Sequence, residues 1–67
     1  MSSIRVNGAE RALAGEMSVA DLVRELALEG KRIAVELNGE IVPRSRYAAT
    51  RLSVGDRLEI VGAVGGG

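Results

Sequence analysis

Ser18-Val19-Ala20-Asp21-Leu22-Val23-Arg24-Glu25-Leu26-Ala27-Leu28-Glu29-Gly30 is the best-supported helical stretch of the chain, and the architecture follows from it. Val19, Leu22, Val23 and Leu26 fall at i, i+3, i+4 and i+7 and so share one face. Ser18, with Asp21 three residues on, has the spacing of a capping box. The pattern predicts a helix over 19–29. Gly30 would take the left-handed position after it, and Lys31 and Arg32 would face the negative end of the helix dipole.

Outward from the helix the period changes to two. On the N-terminal side Ile4 and Val6 alternate with Arg5 and Asn7, and Asn7-Gly8 is a turn signal. A return strand over 10–14, with Leu13 inward, completes a hairpin that Gly15-Glu16 closes. On the C-terminal side Ile33, Val35 and Leu37 alternate with Ala34, Glu36 and Asn38, and Asn38-Gly39 makes the second turn. Glu40-Ile41-Val42 is the partner strand, ended by Pro43, which has no N–H to give to a ladder. Residues 44–52 keep no period and read as a surface connection with a helical turn at 45–48. Gly55-Asp56 leads into a last strand over 57–61, with Leu58 and Ile60 on one face.

Two hairpins cannot bury their apolar faces alone, so the helix must lie across the sheet that they form. The expected core is Ile4, Val6, Leu22, Val23, Leu26, Val35, Leu37, Leu58 and Ile60. The last strand is expected beside the first, in the middle of the sheet, because one crossing helix and one long connection allow this without tangling. The fold class is therefore α+β, a β-grasp (ubiquitin-like) mixed sheet of four or five strands crossed by one helix. Residues 1–67 make a single domain, with 62–67 as a flexible Gly-rich tail.

Composition narrows the function. The chain has 67 residues, no Cys and no His, so it offers no thiolate nucleophile, no imidazole base, no disulfide and no zinc site of the usual ligands. A folded chain of this size has a radius of gyration of roughly 11 Å, too small to wall in a drug-sized ligand, which argues against an autonomous enzyme. Nine basic residues balance nine acidic ones with the signs interspersed, which builds no field for nucleic acid or an anionic membrane. The N-terminus lacks the charged start and apolar run of a signal peptide, and a cytoplasmic protein is expected.

The chain ends Gly62-Ala63-Val64-Gly65-Gly66-Gly67. Glycines add nothing to a core, but a main chain without Cβ can pass a narrow channel and present its terminal carboxylate to a partner unhindered. With this tail, Ile4-Arg5-Val6-Asn7-Gly8, Asn38-Gly39-Glu40-Ile41-Val42-Pro43-Arg44 and Gly55-Asp56 stand in an order that resembles the ThiS-type sulfur carriers of thiamin biosynthesis over essentially the whole chain. Two departures are Tyr47, at a position where the family often has Trp, and the extra Gly65 before the diglycine.

The resemblance implies a carrier rather than an enzyme, with no bound cofactor. A ThiF-like adenylating partner would activate the Gly67 carboxylate with ATP, and a sulfur donor would convert the acyl adenylate to a thiocarboxylate. A ThiG-like thiazole synthase would receive the sulfur. Gly65 and Gly66 would thread the partner's channel. Val61, Val64 and one of Ile41 or Val42 are candidates for an exposed apolar docking patch near the tail, although scattered exposed aliphatics are common. Arg44, Arg46, Arg51 and Arg57 could steer a partner, solvated loop arginines being the commoner case. The nearest competitor is a molybdopterin-synthase small subunit, which shares fold, tail and activation. A β-grasp binding module without carrier chemistry is the other, and it has no need of a free diglycine.

Overall fold

The computed structural model describes residues 2–62. Five strands and one helix follow the chain as β1 (Ser3–Val6), β2 (Ala9–Ala12), α1 (Val19–Glu25), β3 (Ile33–Leu37), β4 (Glu40–Val42) and β5 (Arg57–Gly62), with a single 3-10 turn at Arg44–Arg46. They form one mixed sheet in the order β2-β1-β5-β3-β4. The last strand lies in the middle as expected, parallel to β1 and antiparallel to β3.

Both hairpins turn on Asn-Gly with left-handed backbone at both central residues, the geometry that matches strand twist. The core is Ile4, Val19, Leu22, Val23, Val35, Leu58 and Ile60, joined by Met17, Val42, Tyr47 and Leu52. Val6, Leu26 and Leu37, expected inside, are only partly buried at its margin.

The helix is shorter than its periodicity implies. It starts as expected, with Ser18 Oγ accepting from the Asp21 N–H at 3.1 Å and Asp21 Oδ2 accepting from the Ser18 N–H at 3.0 Å. The Ser18 backbone N–H first, and its hydroxyl second, hold the Asp21 carboxyl below the usual carboxylate range, helped by Arg24. At the other end the helix stops at Glu25 and Leu26 is its cap. Ala27 takes the left-handed position directly after the cap, at φ 61°, and Gly30, left-handed at φ 80°, follows three residues later in the loop. The Leu28 N–H bonds the Val23 carbonyl at 2.9 Å and the Ala27 N–H bonds the Arg24 carbonyl at 3.0 Å, the pairing of a Schellman motif. The early stop turns Leu28 back against the core. Lys31 and Arg32 consequently stand well beyond the helix end and do not complement its dipole.

The segment expected as a surface connection instead closes the core. Tyr47 and Leu52 are buried within it. The Thr50 and Tyr47 carbonyls accept from the N–H groups of Val19 and Ala20 at 2.9 and 3.1 Å, satisfying donors that the first helical turn cannot pair internally. The return strand likewise differs from expectation: β2 spans Ala9–Ala12 rather than 10–14, and Leu13 follows it, half-buried.

Candidate functional site

The site is built around the end of β5. Asn7, at the first turn, donates from Nδ2 to the Ile60 carbonyl at 3.1 Å and accepts at Oδ1 from the Ile60 N–H at 2.7 Å. This side chain carries the β1 ladder one step past the end of the strand. On the opposite side β3 pairs with β5 from Leu37↔Leu58 through to Ile33↔Gly62. Ile60 is therefore gripped from both neighbours, and Val61 and Gly62 are held by β3.

Strand alternation sorts the candidate patch. Val35 sits opposite both Val42 and Ile60, and all three point to the helix side. Val42 is thus a core residue, and the expectation of a docking role for it is corrected: Ile41 is the exposed member of that pair. Ile41 and Val61 are 63% and 59% exposed on the opposite face of the sheet, where Ile41 lies across from Glu36 and Val61 from Ala34. They flank β3 on strands about 10 Å apart at 4.7–4.9 Å per strand. Val64, Gly65, Gly66 and Gly67 lie outside the described residues.

Around Val61 and Gly62 a shallow hollow is lined by Arg32, Ile33, Ala34 and Arg44. The sequence reading did not connect Arg32 to the tail. The signal was present, because the antiparallel register that pairs Ile33 with Gly62 places Arg32 next to the strand end. Among the described residues no three His, Cys, Asp or Glu side chains converge to hold a metal ion. No helix there is long and apolar enough to cross a membrane.

A β-grasp sheet whose central strand runs on into a glycine-rich C-terminal sequence defines a small ubiquitin-like protein. A ThiS family model matches residues 4–67, and the chain belongs to that family. The crystal structure of the thiamine biosynthesis protein ThiS from Geobacter metallireducens is similar at a TM-score of 0.81 and 32% identity, over 97% of this chain and 99% of that one. The sulfur carrier protein ThiS of Bacillus subtilis (strain 168) is 42% identical over 50 residues, 75% of this chain and 76% of that protein. A thiazole synthase of Paramagnetospirillum magneticum is 47% identical over 62 residues, which is 92% of this chain. The chain spans only 19% of the length of that synthase.

Proposed function

We propose that this chain is a sulfur carrier of thiamine biosynthesis, acted on by partner enzymes rather than an enzyme itself. Its reactive group is the Gly67 carboxylate. A carboxylate oxygen attacks the α-phosphorus of ATP on a ThiF-like adenylating partner and pyrophosphate leaves, giving an acyl adenylate. A sulfur donor then displaces AMP at the carbonyl carbon and leaves a thiocarboxylate, whose sulfur passes to a ThiG-like thiazole synthase. ATP is the partner's substrate, and the carrier binds no cofactor of its own. Partners supply the catalysis, which suits a chain with no Cys and no His.

The observation that carries this reading is continuity. The family match runs from Ile4 through to Gly67, so the terminal glycines belong to the family pattern, and they follow a central strand held on both sides up to Ile60 and by β3 up to Gly62. The similarity to a segment of a thiazole synthase supports a working link between such a domain and that enzyme. Val61 offers apolar contact beside the strand end, and Ile41 adds an exposed apolar side chain two strands away, level with Glu59.

Deleting Gly67 tests the reading. Every core residue precedes Gly62, so circular dichroism and melting should be unchanged. Withdrawing the carboxylate by one residue is expected to cut ATP-dependent adenylation by the cognate activating enzyme about a hundredfold or more, since about 1 Å of misplacement can cost that much. Full adenylation of the deletion variant would reduce the tail to a linker and leave the binding-module reading in its place.

A further inference from the structure

Two cations from separate parts of the sequence, Arg32 and Arg44, meet beside Gly62, with Lys31 next to both. Lys31 and Arg32 precede β3 and Arg44 follows β4; all three are exposed. Arg32 and Arg44 line the hollow that holds Val61 and Gly62. Arg44 Nη2 donates to the Lys31 carbonyl at 3.4 Å, and the two residues share a neighbouring hollow with Ile33 and Tyr47. Among the described residues Arg11, Arg24 and Arg51 form ion pairs, whereas Lys31, Arg32 and Arg44 form none. The structure thus takes Arg51 and Arg57 out of the steering group suggested by sequence, pairing Arg51 with Glu16 at 2.6 Å and setting Arg57 at the far end of β5 from Gly62, and joins Arg44 to two cations that sequence had placed at a helix end.

We propose that Lys31, Arg32 and Arg44 form a cationic collar that docks this chain, tail first, onto a protein whose tail-accepting channel is rimmed by carboxylates, with Val61 as the adjoining apolar contact. The inference rests on the carrier reading above and names the surface chemistry of the adenylating partner. The formal net charge is zero, so no overall charge draws the chain to a partner, and a local cluster of exposed cations, beside a Glu29 that is itself paired with Arg24, decides which end arrives first. The five residues 63–67 can span at most about 18 Å at 3.3–3.6 Å per residue. With the tail extended into a channel, the collar stands at the channel mouth, where carboxylates complement its charge.

Arg32→Glu is the informative variant, because Arg44 also donates to a backbone carbonyl and its reversal would disturb the loop. Arg57→Glu, five residues before Gly62 on the same strand, makes the same charge change at the far end of β5. Association of the full chain with its cognate adenylating enzyme is followed by stopped flow over a range of salt concentrations. Arg32→Glu is expected to slow association about tenfold at low salt, flatten the salt dependence and leave dissociation nearly unchanged, the signature of lost steering. The loss should fall on kcat/KM for adenylation and spare kcat at saturation, while Arg57→Glu stays close to wild type. Equal effects of Arg32→Glu and Arg57→Glu, or none from either, would overturn the collar. Adenylation of the wild-type chain is measured alongside. If it is absent, the carrier reading fails and the collar with it; if it is present while Arg32→Glu associates normally, only the collar falls.

Discussion

Both hairpins turn on Asn-Gly with nearly the same backbone, Asn7 and Gly8 at φ 53° and 84°, Asn38 and Gly39 at 52° and 88°, yet their asparagines grip β5 differently. Asn7 clasps both backbone groups of the buried Ile60, close to where the tail begins. Asn38 accepts from the Arg57 N–H at 3.0 Å and donates to Asp56 Oδ1 at 3.0 Å, at the exposed start of the same strand. One turn sequence thus does two jobs. An asparagine tolerates the left-handed backbone and still carries an amide that can extend a neighbouring ladder, and the burial of its partner sets how much that amide is worth.

The largest effect should come from removing what the two hairpins share. Leu22 is fully buried on the helix that covers the sheet. Leu22→Ala is expected to cost about 3–5 kcal/mol, against about 1 kcal/mol for the half-buried Leu26→Ala. Hydrogen exchange of the Ile4 and Val35 amides should accelerate together in the Leu22 variant. Acceleration in one hairpin alone would mean that the halves are separate cooperative units.

The comparison itself is tested next. Asn7→Ala should cost about 2–3 kcal/mol and Asn38→Ala about 1–2, since both lose left-handed tolerance but only the first strands polar groups of a buried residue. Glycine keeps the turn and isolates the clasp: Asn7→Gly should still cost about 1–2 kcal/mol, while Asn38→Gly should stay below about 1. Urea midpoints that fall equally for the two glycine variants would show that burial of Ile60 adds nothing.

The smallest effect has the opposite sign. Ala27 adopts the same left-handed backbone as the two asparagines without an amide to offset it. Ala27→Gly relieves that conformation and is expected to stabilise the fold by about 0.5–1 kcal/mol, read as a higher denaturation midpoint. A lower midpoint would mean that the Ala27 methyl contributes packing worth more than its backbone strain.

Much of this was legible in the sequence, for local reasons. Asn-Gly pairs specify tight hairpin turns, period-two alternation separates Ile60 from Val61, and the Ser18–Asp21 spacing writes its own cap. The misreadings share one cause. A helix end and the burial of Leu52 both depend on a surface supplied by another segment, as does the choice of Val42 over Ile41 for the inward face. Periodicity cannot report on an aperiodic stretch such as 44–52, whose order comes from lending carbonyls to the helix N-terminus.

The sequence alone determined the turns, the strand faces, the start of the helix and the glycine-rich end, because each depends on backbone preferences and spacing within a few residues. Tertiary structure decided where the helix stops, which residues seal the core, and that Arg32 and Arg44 gather beside Gly62. These are consequences of strand register and long-range packing. They follow from which surfaces meet once β5 is inserted between β1 and β3, and no window along the chain contains that information.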